Sequence, residues 1–233
     1  MITLLTIVPL LISSRFLPFY RVVLNPTDHA ALLIYQREFL ERSKGIQVSC
    51  DYLSNAYVAM FFWGTRSIGG YVINVSEWNP LRYLMLFTPT MSNAILNDKG
   101  LREEEMLEIS CIWKAKLPMI FTAIFYAGML IDSWRIGRRM GKRYLLGGSV
   151  LKSIRKIHRL LLPIDIFIGF LPSTTLSTKA DQLVAIYAGP LNSLPLRATN
   201  LLVSRFLLPK NLVLRLSRYK KTSISNASNV ADG

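Results

Sequence analysis

The stretch AYVAMFFWGTRSIGGYVINV, residues 56–75, constrains this chain most. Two runs of β-branched and aromatic residues flank Gly64-Thr65-Arg66, a pattern that predicts a β-hairpin. Further on, LEISCIWKAK (107–116) reads as a strand, Pro118 suits the first turn of a long helix over 118–141, and RYLLGGSV (143–150) reads as the next strand. A chain that makes both a hairpin and strand–helix–strand crossovers is expected to form an α/β or α+β domain with a mixed sheet.

The remaining segments fit that frame. RVVLNP (21–26) predicts a strand, and Thr27 and Asp28 offer cap chemistry for a helix to about Ser43, with Gly45 as its stop. Residues 76–105 predict a loop with a short helix, KSIRKIHRLL (152–161) a short basic helix, and LPIDIFIGFLP (162–172) the final strand. The expected organisation is an apolar segment over 1–20, one domain over 21–172, a basic leucine-rich extension over 173–222, and a tail over 223–233 that is disordered by composition.

Composition narrows the function classes. No apolar run reaches the ~20 residues of a spanning helix, and MITLLTIVPLLI at the start is short, broken by Pro9 and a poor secretory signal. Cys50 and Cys111 make neither a disulfide framework nor a metal cluster, and with His29 and His158 they show no metal-site spacing; no metal and no permanent cofactor are expected. The thiols read as buried and reduced, which fits a cytoplasmic protein. Lys and Arg number 28 against 14 Asp and Glu, a net charge of +14 that favours an acidic partner: an acidic protein, an anionic membrane or nucleic acid.

Several short motifs, in order, resemble the GNAT-like acyltransferase fold, and more narrowly the acyl-homoserine-lactone synthases and long-chain N-acyl amino acid synthases. REFLERSKGI (37–46), Asp51, SIGGYVINV (67–75) with NPLRYLMLF (79–87), LEISCIW (107–113) and GKRYLLGGSVLKSIRKIHRLL (141–161) are similar to segments of that family. The resemblance covers roughly residues 20–175. It implies a mixed central sheet flanked by helices, and transfer of a fatty acyl group from a thioester, on acyl carrier protein or coenzyme A, to the amine of an amino acid or a similar small molecule. The chain departs from the family's pattern at four places. Cys111 follows Ser110 where an Arg is expected, Ser54 replaces the second Asp of a pair, Val72, Ile73 and Asn74 stand where a hairpin Arg is expected, and Tyr35 replaces a helix Arg. These departures weaken lactone formation in particular.

With that resemblance, Glu108 becomes the candidate base or amine-orienting group, with Ser110 and Asp51 as supporting polar groups. In a regular strand Glu108 and Ser110 share one face while Ile109 and Cys111 point to the other, so Cys111 is expected to face away. Acyl transfer to an amine needs a nearby proton acceptor and preorganised N–H donors for the oxyanion. Spacing alone favours Glu108 as the start of an edge strand in water, and Asp51 as an ordinary turn aspartate. His29 and His158 read as surface residues. Arg135, Arg138, Arg139, Lys142 and Arg143 form a basic block that the resemblance makes a docking patch for the acidic carrier protein, or for coenzyme A phosphates. The leucine-plus-basic extension suggests contact with the inner face of an anionic membrane. Two further readings are a non-catalytic membrane-associated protein on the same scaffold, and a nucleic-acid binder.

Overall fold

A computed structural model describes residues 19–43, 46–149, 158–170 and 183–203. The N-terminal MITLLTIVPLLI, Gly45, the basic residues Lys152, Arg155 and Lys156, and the C-terminal tail lie outside the described residues. Seven strands form one sheet in the order β1-β2-β3-β4-β5-β7-β6. They are β1 (Phe19–Val23), β2 (Tyr57–Trp63), β3 (Arg66–Val75), β4 (Met106–Lys114), β5 (Tyr144–Ser149), β6 (Ile164–Phe170) and β7 (Leu183–Pro190). Every neighbouring pair is antiparallel except β4 and β5.

Local chemistry accounts for most of the elements. Helix α1 (His29–Arg42) starts where the Asp28 carboxylate accepts from Ala31 N at 3.0 Å. Ser49 caps the short α2 (Cys50–Ser54) in the same way at 3.2 Å. Thr88 caps α3 (Pro89–Asp98), whose first residue is the proline that such a position tolerates. Gly64, at φ +60°, makes the hairpin turn, and Gly141, at φ +67°, follows the end of α4 (Met119–Arg139).

The sheet alternates as the strand period requires. Phe61, Tyr71, Ile73, Leu107, Ile109, Leu145 and Tyr187 pack on one face against α4 and α5 (Leu194–Leu202). On the opposite face Val58, Met60 and Val72 meet α1 and α2, while Met106, Leu146, Val184 and Ile186 meet α3 and the loop before it. Helix α4, expected from sequence as a long helix, is by length and composition able to cross a membrane, although no apolar run of that length was expected. In the fold it crosses the sheet, burying Phe125, Met129 and Leu130. It also buries Asp132, whose Oδ2 accepts from Arg21 of β1, from the Tyr57 hydroxyl at 2.8 Å and from the Tyr71 hydroxyl at 2.6 Å. One carboxylate thus ties α4 to three consecutive strands.

Two expectations need correcting. The sheet does not end at residue 172: β7 lies beyond it and is inserted between β5 and β6, and α5 follows on the α4 face. His158 is no surface residue either. Its ring meets Tyr187 edge-on at 6.0 Å, and burial pushes its pKa down to about 4.

Candidate active site

Glu108 is the third residue of β4 and is wholly shielded from solvent. It faces the α1–α3 side of the sheet, at the seam between two apolar clusters, because both of its sheet neighbours, Asn74 and Leu146, are buried. Its carboxylate is held at both oxygens. Oε1 accepts from the Tyr52 hydroxyl at 3.2 Å, and Oε2 accepts from the Tyr83 backbone N–H at 2.9 Å. Burial pushes the carboxyl up to about 7, working against the Tyr83 N–H, the Ser110 hydroxyl and the nearby Arg82 charge, which favour ionisation. A group poised there exchanges a proton readily at neutral pH.

The surrounding polar groups are fixed by one another. Asn74 Nδ2 donates to the carbonyls of Asn79 at 3.0 Å and Pro80 at 3.3 Å, and Asn79 Nδ2 donates to the Tyr52 carbonyl at 3.1 Å. This closes the loop after β3 onto α2 and sets Tyr83 over Glu108. Arg82 lies over the Tyr52 ring, 5.3 Å from its centroid, and its Nη2 donates to the Gln47 carbonyl at 3.0 Å. Burial, with the neighbouring Glu108 charge second, keeps the Tyr52 and Tyr83 phenols well above their ordinary range, so both remain neutral.

Beyond Glu108 the strand is irregular. Gly70 pairs with Trp113 but Val72 pairs with Ser110, so two residues of β4, Cys111 and Ile112, stand opposite Tyr71 alone. Cys111 adopts φ +50°, a left-handed conformation that a side chain rarely takes. The Tyr35 hydroxyl of α1 donates to the Cys111 carbonyl at 2.7 Å and pins this bulge. Gly70 leaves the room for it: a Cβ there would stand 2.6 Å from the Tyr35 ring. The bulge turns Cys111 onto the same face as Glu108 and Ser110, where it packs with Val72 and Trp113, contrary to the alternation expected of a regular strand. Burial raises its thiol to about 11, which keeps it protonated and a poor nucleophile.

The bulge sits beside a split in the sheet. β4 and β5 pair at only three positions, the last being Glu108 with Leu146, and then diverge. Tyr83 reaches across from the loop, its hydroxyl donating to the Gly148 carbonyl of β5 at 3.1 Å. A Cβ on Gly148 would stand 2.6 Å from the Tyr83 ring, so glycine is what admits that ring.

Of the residues picked from sequence, Glu108 and Ser110 come together. Ser110 is buried, and its Oγ makes no hydrogen bond of good geometry among the described residues. Asp51 does not join them: it is exposed in the first turn of α2, where only its carbonyl is engaged, by Ser54 and Asn55. The next residue, Tyr52, is the one that turns inward. Lys142 is not an exposed docking residue, since its ammonium is buried between the Glu77 carboxylate and the Glu104 carbonyl. Arg135, Arg138, Arg139 and Arg143 are exposed, but they gather where β4 and β5 begin. Arg143 N donates to the Glu105 carbonyl there, at the opposite end of the strands from the opening of the split. Tyr35, Tyr52, Arg82 and Tyr83 were missed from sequence. The nearest signal was NPLRYLMLF, which places an Arg-Tyr pair in the loop after the hairpin. No group of three or more His, Cys, Asp or Glu side chains converges among the described residues.

No family model and no curated protein matches this chain. Solved structures do. FeeM, an N-acyl amino acid synthase from uncultured soil microbes, is 12% identical and covers 77% of this chain and 94% of its own, with a TM-score of 0.51. MesI, a CoA-dependent acyl-homoserine lactone synthase, is 9% identical over 77% of this chain and 93% of its own, with a TM-score of 0.47. LasI, an AHL synthase, is 10% identical over 75% and 90%, with a TM-score of 0.42. The seven-stranded mixed sheet, its flanking helices and the match to FeeM along most of both chains show that this chain has the GNAT-like α/β fold.

Proposed function

We propose that the protein is an N-acyltransferase that moves a fatty acyl group from a thioester, on acyl carrier protein or coenzyme A, to the amine of an amino acid or a similar small molecule. The observation that carries this reading is Glu108: a shielded carboxyl poised at about 7, at the last paired position before β4 and β5 part. The thioester lies in the split, along the edge of β4 that β5 no longer covers. N–H groups of that edge receive the carbonyl oxygen as it gains charge. Glu108 takes a proton from the acceptor ammonium. The freed amine attacks the thioester carbon, a C–N bond forms, the C–S bond breaks, and the thiol leaves with a proton.

Incubating the full chain with acyl carrier and coenzyme A thioesters and a panel of amines, followed by mass spectrometry, tests this. N-acyl amines are expected, with kcat reduced about 10²- to 10⁴-fold in Glu108→Gln. The wild-type rate should rise with pH through a midpoint near 7, since the base works ionised, and the variant should lack that limb. Absence of product with every donor and acceptor would overturn the reading.

A further inference from the structure

We propose that Arg82 holds a carboxylate of the acceptor, so that the amine delivered to Glu108 belongs to an amino acid and not to a plain amine; this rests on the acyl-transfer reading of the same site. Three groups in the site are left without a complement. Arg82 is half-buried beside Tyr52 and has no carboxylate partner among the described residues. Its one hydrogen bond among the described residues, to the Gln47 carbonyl, leaves most of the guanidinium fork for another acceptor. Glu108 in turn has no cationic partner among the described residues; a phenol and a backbone N–H hold its two oxygens. The buried Ser110 hydroxyl on the same strand makes no hydrogen bond of good geometry among the described residues, although it stands close enough to favour the ionised form of Glu108.

These groups stand close together. Tyr52 carries Arg82 on its ring face and sends its hydroxyl to Glu108, so the cation and the carboxylate lie at two sides of one phenol. Arg82 also directly precedes the N–H that binds Glu108 Oε2. A ligand that satisfies the site carries an ammonium for Glu108 and, a few bonds away, a carboxylate for Arg82. A planar guanidinium meets such a carboxylate with paired, charge-assisted bonds. An amine lacking the carboxylate leaves Arg82 unpaired.

The test compares an amino acid, its carboxamide and its decarboxylated amine as acceptors for wild type, Arg82→Lys and Arg82→Ala. Arg82→Ala should raise KM for the amino acid about 10- to 100-fold more than KM for the plain amine, compared above the Glu108 titration so that the lost Arg82 charge does not bear on the base. Arg82→Lys, which keeps the charge without the fork, should fall between. Wild type that uses all three acceptors equally, or a variant whose KM rises equally for all three, would overturn the assignment while leaving acyl transfer intact. If no amine is acylated, calorimetric binding decides Arg82 separately. Amino acids that bind wild type and not Arg82→Ala support it, and failure to bind wild type overturns it.

Discussion

Glu108 is a carboxyl group held where water does not reach it, and its proton affinity is the clearest single-residue property of the molecule. Burial raises it to about 7, while a carboxyl in the unfolded chain titrates near ~4.3. Between those values the folded chain keeps a proton that the unfolded chain has released. The contribution of this group to stability therefore falls as pH rises through that window, and levels off above 7. The full span is on the order of 3 kcal/mol. Glu108→Gln carries no such proton, so its denaturation midpoint should gain on that of wild type steadily from pH 4.5 to pH 7.5. Parallel curves for the two proteins would show that Glu108 is ionised throughout. The same residue explains why Asp51 was the wrong neighbour to choose. Successive helix residues turn by about 100°, so one of a pair such as Asp51 and Tyr52 faces water when the other faces the sheet. Here the tyrosine is inside.

At the scale of the element, β4 is a strand whose irregularity is held from outside. The left-handed Cys111 is strained in isolation, and the Tyr35 hydroxyl on its carbonyl is the bond that over-determines it. Tyr35→Phe removes that bond and leaves a buried carbonyl short of a donor, a loss of about 1–3 kcal/mol. In a chain of this size such a loss lowers Tm by roughly 2–4 °C for each kcal/mol. The melting temperature should fall by that amount, and the proposed transfer activity with it, because the bulge sets the face on which Ser110 and Cys111 stand. An unchanged melting curve would show that the bulge is stable without the phenol.

At the scale of the whole molecule, the sheet is closed by a strand that comes last in sequence but not in space. β7 carries Ala185, Ile186, Tyr187 and Ala188, all shielded from solvent, and among the described residues it is the strand that joins β5 to β6. A chain ended after residue 172 keeps every residue of the candidate site yet loses this strand and α5. It should express as insoluble or partly folded protein, without a cooperative thermal transition by near-ultraviolet circular dichroism. A cooperative transition in that fragment would mean that β1–β5 and their helices form a self-sufficient unit. Asp132 works at the same scale, since its three donors come from β1, β2 and β3 and it belongs to the helix that crosses them.

The amino-acid sequence by itself determined the hairpin, the cap of the first helix, the strand–helix–strand crossover and the mixed sheet. Each of these follows from local periodicity, from glycine and proline geometry, or from a side-chain oxygen beside free N–H groups. It also placed Glu108 and Ser110 on one face, because two residues of a strand separated by one other residue share a side. Only the tertiary structure decided the rest. The bulge that brings Cys111 to that same face depends on Tyr35 of a distant helix and on the space at Gly70. The position of β7 depends on two neighbours far from it along the chain. The basic block looked like one docking patch in sequence, yet Lys142 is drawn inward by Glu77 while its neighbours stay in water. The environment of Glu108 came from Tyr52, Arg82 and Tyr83, which share no motif with it. A carboxyl group's proton affinity is set by what surrounds it in space, and residues 25 and more positions away along the chain supply those surroundings.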